Sequence, residues 1–531
     1  IESESEFVNY QKIQIQEPLE KLHGSEQATY LDVHVSDDLV NRLAPGDKTK
    51  FVGILRLYPG QARKTLFGRY LEAIHLEETE KEFEEVEILP EEEAEIKRLA
   101  KDPKIYEKLV ASIAPSIYGH EKVKEAIVLQ LFGGVRKFLP NNPPIRGNIH
   151  ILLVGDPGTG KSQILQATND IAPKSIYFAG KTSSAVGLTA SAVKDEFGEG
   201  GWTLKAGALV LSNGGICMAD EIDKMDDNDR SALHEAMEQG MVSVAKAGIV
   251  TRFKADTSIL AAANPKFGRF DEYRNVIEQI DLPPTLISRF DLFFVIKDVL
   301  DETKDMQIAK HVLKTHKAGE LLYQSKKKGA KIKKSEEKEI EAIATPPIPP
   351  ELLRKYISYA RQNIFPVLTD EAMEEISKFY VNLRKQGKQT EEERMSYPAT
   401  HRQLEALIRL AEASARVRLS DKVTKEDAER AIALMTESLG LLRDPETGAI
   451  NIDYLTLGQA YSKTERMREI LNIIRMKATE MDRVPIEDIV EEMKTKKVSE
   501  EETLSLLREL ERKGEIYKPD HYTVAPVDRR A

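Results

Sequence analysis

Cysteine is nearly absent from the sequence, with one residue, Cys217, in a chain of 531. A single cysteine forms neither an intramolecular disulfide nor a thiolate zinc site, so we expect neither within this chain. Tryptophan also occurs once, and aromatic residues make up 6% of the sequence. Together with heavy use of Lys and Glu, this composition is typical of a cytosolic protein.

Long hydrophobic runs are missing as well. No run approaches the ~20 apolar residues of a membrane-spanning helix, and no signal peptide opens the chain. The sequence starts at Ile1 and leads directly into a strand-like pattern, so we expect a fragment without its natural N-terminus. Positive charge is in deficit, with 77 basic against 88 acidic residues and a net charge of -11. This balance argues against a protein coated in DNA but permits a ring with basic residues in its channel.

The first part of the chain has the pattern of a small β domain. Residues 1–80 alternate apolar and polar positions in four runs separated by turn signals, which predicts a small antiparallel sheet or barrel. The runs are Tyr10–Ile15, Thr29–Val35, Thr49–Leu57 and Tyr70–Leu76. An acidic helical stretch follows, and we expect it to be a linker over residues 81–104.

From Asn148 the pattern changes to α/β, with buried strands between helices. The predicted strands are Ile149–Val154, Ile216–Ala219, Ser258–Ala263 and Leu292–Ile296. A lysine-rich, proline-terminated linker is expected over residues 319–349, helices over 350–440, and a hinge over 441–462. Short helices and a strand pair over residues 463–531 have the outline of a winged helix.

Residues 155–162 match the phosphate-binding loop pattern at every fixed position, between a predicted strand and a predicted helix. The loop consists of Gly155, Asp156, Pro157, Gly158, Thr159, Gly160, Lys161 and Ser162. Its glycines let backbone N–H groups turn towards phosphates, and the helix N-terminus adds its dipole. Lys161 is predicted to reach the β- and γ-phosphates, and Ser162 to bind Mg²⁺. The alternative, a chance glycine turn, does not account for the complete match.

A second apolar strand ends in two adjacent carboxylates, Asp220 and Glu221. Ligands of open α/β sheets bind at this end of the strands. Asp220 is predicted to hold Mg²⁺ through water, and Glu221 to orient and deprotonate the attacking water. Alone, such a pair is usually a solvated strand end, but the preceding phosphate loop favours the catalytic interpretation.

Two further positions leave alternatives open. Asn264 could place its amide beside the γ-phosphate, although Asn264-Pro265 is also a turn signal, which the local pattern favours. Arg289 could stabilise the charge on the transferred phosphoryl group, an effect worth ~10³–10⁵ in rate in known cases. Alternatively, Arg289 is a surface residue paired with Asp291, and the spacing does not choose between the two.

In their order, residues 155–163 (GDPGTGKSQ), 220–225 (DEIDKM), 264–265 (NP) and 288–292 (SRFDL) resemble the minichromosome maintenance (MCM) helicases. Segments 117–134, 195–208 and 232–248 strengthen the resemblance, which covers nearly the whole chain. It implies an α/β AAA+ P-loop ATPase core (105–318) with a helical lid (350–440). A partial OB-fold β-barrel (1–80) would precede the core, and a winged-helix domain (463–531) would follow the lid.

The resemblance also implies a ring, usually a hexamer, with ATP and Mg²⁺ held between subunits. One subunit would contribute Lys161, Ser162, Asp220, Glu221 and Asn264, with adenine near Ser116, Ile117 and Tyr118 and with Gln163 next to the phosphate loop. The neighbour would contribute Arg289 as a finger and Arg402 as the second sensor arginine. We expect no zinc, no N-terminal helical subdomain and no zinc module in this chain, which puts double-ring assembly in doubt.

By the same resemblance, DNA would be contacted by Arg63 and Lys64 of the barrel and by Lys246 at the tip of the hairpin Val242–Val250. A second loop is expected around Ser183–Thr189. Each basic residue taken singly is more often solvated surface, and only a ring gives these residues a shared channel. The candidate recognition helix of the winged helix opens with three glutamates at 500–502, which favours a regulatory role or a protein contact.

The expected function is therefore an ATP-dependent replicative helicase that moves on single-stranded DNA and unwinds forked duplexes. Its expected partners are DNA, copies of itself, and replication-initiation and loading proteins, without a membrane. We expect it in the cytoplasm at the nucleoid of an archaeal cell, or in a eukaryotic nucleus. Two alternatives remain, a AAA+ remodeller of protein complexes and a passively loaded DNA ring. The barrel argues against the first, and Glu221 against the second.

Overall fold

A computed structural model of the protein describes two compact units, Ile1–Thr456 and Leu457–Ala531. The described residues are 8–17, 29–40, 42–43, 49–57, 68–78, 88–138, 140, 144–180, 187–194, 202–246, 249–270, 279–298, 301–328, 346–386, 401–440, 470–471, 473–474, 477, 484–495, 500–512, 516–518 and 523–526. Among them, no helix has both the length and the apolar character needed to cross a membrane.

A four-stranded sheet opens the first unit. Its strands are β1 (Tyr10–Gln16), β2 (Tyr30–Ser36), β3 (Thr49–Leu57) and β4 (Arg69–Glu78), in the order β1-β2-β4-β3. All four lie within two residues of the predicted runs. A small core under the sheet includes Val33, Val35 and Leu76. The prediction of an antiparallel sheet is wrong for one pair, because β2 runs parallel to β4. Alternation locates strands but does not determine which neighbour each strand pairs with.

Three helices lead into the α/β core: α1 (Pro90–Ala100), α2 (Ile105–Ser112) and α3 (Glu121–Phe132). Helix α1 lies in the stretch predicted as a linker. Helix α3 is buried along most of its length, and its Gln130 amide donates to the carbonyls of Ile149 and Ile259, 2.9 and 2.8 Å away. It therefore fixes two neighbouring segments of the central sheet.

The central sheet has five parallel strands in the order β13-β5-β12-β9-β6. In chain order the strands and helices of the core are β5 (Ile151–Gly155), α4 (Lys161–Ile171), β6 (Ser175–Ala179), β7 (Ala190–Lys194), β8 (Trp202–Ala206), α5 (Ala208–Leu211), β9 (Ile216–Asp220), α6 (Asp227–Gln239), β10 (Met241–Lys246), β11 (Ile249–Lys254), β12 (Ser258–Ala263), α7 (Pro284–Ile287), β13 (Leu292–Ile296) and α8 (Glu302–Lys328). Strands β5, β9 and β12 are wholly buried, as expected for a parallel sheet covered on both faces. Edge strand β6 is half-buried, and its short apolar run Ile176–Ala179 was not among the predicted strands.

Two antiparallel hairpins, β7–β8 and β10–β11, form separate two-stranded sheets outside the central sheet. Helix α8 continues to Lys328, so the first part of the stretch predicted as a linker over 319–349 is helical.

The described residues of the lid form four helices, α9 (Pro350–Asn363), α10 (Asp370–Gln386), α11 (His401–Val417) and α12 (Lys425–Gly440), and a two-stranded parallel pair, β14 (Val367–Leu368) and β15 (Lys422–Val423). Helix α11 carries three buried charged residues on one face, Arg409, Glu412 and Arg416. Glu412 accepts from the backbone N–H of Val135, and Arg416 donates to the carbonyls of residues 132–134 at 3.0–3.1 Å. Since buried charges need partners, these contacts hold the lid against the core.

In the described part of the second unit, helices and the strand pair follow each other as predicted, but one further short strand, Val484–Pro485, was not predicted. Helical residues at 470–471, 473–474 and 477 precede β16 (Val484–Pro485), α13 (Ile486–Thr495), α14 (Glu500–Arg512), β17 (Ile516–Tyr517) and β18 (Thr523–Pro526). The strands form an antiparallel sheet in the order β16-β18-β17 over an apolar core. Its assignment as a winged helix stays a prediction, and the predicted hinge over 441–462 lies outside the described residues.

Candidate functional site

The phosphate loop joins the end of β5 to the start of α4, and its shape depends on glycine. Gly158 and Gly160 have φ values of +86° and +82°, a region that favours glycine because it carries no Cβ. Gly155 is required for a different reason, since a Cβ there would lie 2.5 Å from the carbonyl oxygen of Ile296. The loop therefore has a conformation that most other residues would strain.

Asp156 anchors the loop through its side chain. The carboxylate is buried and accepts hydrogen bonds from the backbone N–H groups of Phe270 and Asp298, at 2.9 and 3.0 Å. These residues follow β12 and β13, so one side chain ties three chain segments together. Asp156 was predicted as a nucleotide contact. Its carboxylate instead holds the loop against its neighbouring segments. A contact between the Asp156 backbone and the nucleotide stays a prediction.

Lys161 lies under the loop at the start of α4. Its buried ammonium donates to the carbonyls of Gly155 and Asp156, 2.7 and 2.8 Å away. Burial lowers the pKa of Lys161, while the charges of Asp156, Asp220 and Asp223 act in the opposite direction. The lysine is therefore positioned between the loop and the acidic end of β9.

Asp220 and Glu221 end strand β9. The buried Asp220 carboxylate accepts from the Tyr177 hydroxyl at 2.7 Å and from the Glu221 N–H at 2.9 Å. Burial, reinforced by the bond to Asp220, raises the pKa of Tyr177 to about 12, so this hydroxyl remains a donor.

Glu221 has a φ of +51°, an unusual value for a residue other than glycine, and such strain is often found at functional sites. Its carboxylate pairs with the Lys224 ammonium at 2.5 Å. Neither Tyr177 nor Lys224 was singled out from the sequence. Lys224 lies within the family-like DEIDKM segment, whereas nothing in the sequence signals Tyr177.

The strand order brings the predicted catalytic residues together. Strands β5, β12 and β9 are neighbours, and the register pairs Ala263 with Val154 and Ala261 with Ala219. Because parallel strands end at the same edge, the phosphate loop, Asn264 and Asp220 meet at the carboxyl edge. The Asn264 N–H donates to the Asp223 carboxylate at 3.1 Å. The predicted turn is also present, with the N–H of Gly268 bonded to the carbonyl of Pro265, so Asn264 lies at the site edge before a turn.

The residues predicted near adenine flank the phosphate loop. Ser116, Ile117 and Tyr118 lie between α2 and α3, and the Ile117 side chain lies 3.7 Å from where a Cβ of Gly160 would be. The Tyr118 hydroxyl donates to Gln307 at 2.7 Å, and its ring lies 5.8 Å from that of His311. Helix α8, which was not predicted to be part of the site, therefore borders this side of it.

Ser162 and Asp220 suit Mg²⁺ as oxygen donors, and Ser162 is exposed in the first turn of α4. Among the described residues, no cluster of three or more His, Cys, Asp or Glu could hold a metal by itself. An ion bound by one or two protein oxygens together with phosphates and water fits this arrangement, because Mg²⁺ commonly retains several waters.

Arg289 lies at the opposite edge of the sheet. It precedes β13, where the N–H groups of Asp291 and Leu292 donate to the carbonyl of His150, just before β5. Strand β5 leads from that point into the phosphate loop and is five residues long, a rise of ~16 Å. Arg289 therefore does not approach the phosphate loop of its own chain.

Asp291 was the alternative partner for Arg289, and the structure pairs it elsewhere. Its buried carboxylate bonds Arg409 at 2.6 Å and Arg146 at 3.0 Å. Arg289 instead donates to the His234 ring at 2.8 Å and pairs with Glu238 at 2.5 Å.

Arg402 lies beside Arg289, although 113 positions separate them in the sequence (402 − 289). From the first turn of α11 it pairs with Glu238 at 3.5 Å and donates to the Ser288 hydroxyl at 3.3 Å. The two predicted arginines therefore share one surface, away from the carboxyl edge.

Of the predicted DNA contacts, only Lys246 falls among the described residues. It is the last residue of β10, opposite Ile249 in the β10–β11 hairpin. Arg63, Lys64 and most of the loop around Ser183–Thr189 lie outside the described residues.

Three family models match the chain: an MCM OB domain over residues 1–59, an MCM P-loop domain over 92–316 and an MCM AAA-lid domain over 351–439. The minichromosome maintenance protein of Saccharolobus solfataricus is 42% identical over 98% of this chain and 73% of its own length. DNA replication licensing factor MCM4 of Oryza sativa is 39% identical over 88% of this chain and 55% of its own length. DNA replication licensing factor MCM7 of Arabidopsis thaliana is 40% identical over 82% of this chain and 58% of its own length.

Proposed function

The chain belongs to the minichromosome maintenance (MCM) family, and from this premise we propose that it is an ATP-dependent replicative DNA helicase. In this proposal it moves along single-stranded DNA as a ring, with a hexamer as the expected form, and separates the strands of a forked duplex. Its partners would be further copies of the chain, DNA, and the initiation and loading proteins of replication.

One observation carries the proposal of a ring. The phosphate loop and the carboxylates lie at the carboxyl edge of the sheet, whereas Arg289 and Arg402 lie together on another surface. A single subunit therefore holds two incomplete halves of a site. A ring, in which each subunit presents its arginines to the nucleotide of the next, joins the halves at every interface.

Within that joint site, each residue has a separate task. Lys161 and the backbone N–H groups of the loop bind the phosphates. Asp220, oriented by Tyr177, and Ser162 would hold Mg²⁺, which neutralises phosphate charge when bound. Glu221 takes the proton of the attacking water, and Asn264 helps to place that water. The neighbour's Arg289 and Arg402 stabilise the charge that spreads over the transferred phosphoryl group.

Hydrolysis would move DNA by shifting the β7–β8 and β10–β11 hairpins. The β10–β11 hairpin follows α6, the helix that carries Glu238 and His234, so a shift of α6 at the subunit interface would also move the hairpin. Lys246, together with Arg63 and Lys64 of the OB domain, would contact phosphates of a strand in the channel.

Two other functions use the same ATPase site, a remodeller of protein complexes and a passive ring. The matched OB domain favours a machine that handles nucleic acid. The test is ATPase with and without single-stranded DNA, followed by unwinding of a forked duplex. We expect DNA to stimulate ATPase and the fork to separate only with hydrolysable ATP. ATPase insensitive to DNA would favour a remodeller, and DNA retention without ATPase would favour a passive ring.

A further inference from the structure

Glu238 of helix α6 is the point at which the two arginines meet. One carboxylate oxygen lies 2.5 Å from Arg289 and the other lies 3.5 Å from Arg402. Arg289 comes from the segment before β13 and Arg402 from the lid, so a single side chain bridges two distant parts of the chain. Without a shared anion, two neighbouring guanidinium groups would repel each other.

The contacts around Glu238 fix the direction of both side chains. His234, one turn earlier on α6, accepts from the Nε of Arg289 at 2.8 Å. Burial and the charge of Arg289 lower the pKa of His234, which keeps the ring neutral and able to accept. Ser288 binds Arg402 at 3.3 Å. Each arginine therefore has one contact of its own and one contact through Glu238.

A buried ion pair lies close to the two arginines. Asp291, two residues after Arg289, bonds Arg409 of α11 at 2.6 Å. Arg409 lies seven residues after Arg402 on the same helix (409 − 402), about two turns away. This ion pair joins the backbones that carry the two arginines, whereas Glu238 joins their side chains.

We propose that Glu238 is a positioning residue that holds Arg289 and Arg402 as a pair, so that both reach the neighbour's nucleotide together. The inference rests on the proposed function, in which both arginines act across the interface. Glu238 itself touches neither nucleotide nor water. Its effect is to orient two flexible side chains before the interface forms, because misplaced catalytic groups lose much of their effect.

The first experiment uses Glu238→Gln. The amide has a similar shape but no charge and only one acceptor oxygen, so it cannot hold both arginines. The carboxylate is half exposed, so we expect normal folding and ring size. We expect kcat of ATP hydrolysis to fall roughly ten- to hundred-fold, with ATP affinity unchanged because Lys161 and the phosphate loop are intact. The control is Glu235→Gln on the same helix, whose carboxylate binds Ser243 rather than an arginine. It should hydrolyse ATP normally.

Subunit mixing then separates positioning from a general structural effect. Glu238→Gln subunits mixed with Glu221→Gln subunits form some interfaces with an intact Glu221 facing an intact Glu238 and its arginines. ATPase should therefore rise above that of either variant alone. Mixed with Arg289→Ala subunits, Glu238→Gln should not recover, because both changes affect the arginine-bearing side.

Three results would overturn the inference. They are wild-type ATPase in Glu238→Gln, faster ATPase in that variant, or failure of Glu221→Gln subunits to rescue it. The mixture of Arg289→Ala with Glu221→Gln identifies the source of a failure. If that mixture recovers but Glu238→Gln does not, only the role of Glu238 is wrong. If that mixture also stays inactive, the proposed site between subunits is wrong.

Discussion

Gly158→Ala tests whether the backbone shape of the phosphate loop sets nucleotide affinity. At φ +86° a Cβ at this position would have no heavy atom within 4 Å, so the substitution introduces no clash. A residue with a Cβ raises the free energy of this left-handed backbone conformation by ~1–2 kcal/mol. If binding must restore the loop shape, ATP affinity falls about 5- to 30-fold. The chemical step should persist, because Lys161 and Glu221 are unchanged.

The assay is equilibrium binding of a fluorescent ATP analogue, together with thermal unfolding. Gly268→Ala is the matched control, since Gly268 has a φ of +83° and its Cβ would also meet nothing within 4 Å. It lies outside the phosphate loop and should lower the unfolding temperature similarly while leaving ATP affinity unchanged. Wild-type affinity in Gly158→Ala, or an equal loss of affinity in both variants, would refute the reasoning.

The remaining predictions concern the lysines, the general base and pH. Lys161→Ala should weaken ATP binding by roughly 1.5–3 kcal/mol, the loss of charged hydrogen bonds, whereas Glu221→Gln should still bind ATP but not hydrolyse it. Equal loss of affinity in both would contradict their assigned roles. Lys246→Ala should keep basal ATPase while losing DNA stimulation and fork unwinding, and normal unwinding would show that Lys246 only solubilises a turn. Burial, then the charge of Arg146, hold the pKa of His150 well below its usual 6.5, so the unfolded chain takes up a proton that the folded chain does not. Unfolding free energy should therefore decline as pH falls below 6.5, and His150→Gln should reduce this slope by up to ~1.4 kcal/mol per pH unit. An unchanged slope in urea titrations would contradict a neutral, buried His150.

The sequence predicted the carboxyl edge of the sheet well because local patterns determine it. A strand, a glycine-rich turn and a helix are consecutive in the chain, so the match over residues 155–162 sufficed to locate the loop. The end of β9 was equally clear from an apolar run closed by Asp220 and Glu221. Strand positions in the first sheet were also correct within two residues, since alternation is a local property.

Contacts between distant segments were not predictable in this way. Tyr177 lies on the edge strand β6, and nothing in the sequence of that strand indicates that its hydroxyl donates to Asp220 at the end of the neighbouring strand β9. Asp156 has its place in the loop pattern, but its bonds to Phe270 and Asp298 depend on how three segments pack. The parallel β2–β4 pairing has the same cause. In each case the missing information is the packing of segments that lie far apart in the sequence.

The position of Arg289 and Arg402 matters most among the features that the sequence did not predict. From spacing alone, Arg289 could pair with Asp291 or act on a nucleotide. The β13–β5 register places it at the amino edge of the sheet, and Glu238 joins it to Arg402. From this position Arg289 cannot contact the phosphate loop of its own chain.

The most direct test of a site shared between subunits is to mix two inactive variants. Glu221→Gln removes the base from one half of the site, and Arg289→Ala removes the finger from the other half. Mixed rings contain some interfaces at which an intact Glu221 faces an intact Arg289. Our account predicts that ATPase recovers in the mixture although neither variant is active alone. Mixed rings that demonstrably exchange subunits and remain inactive would contradict it.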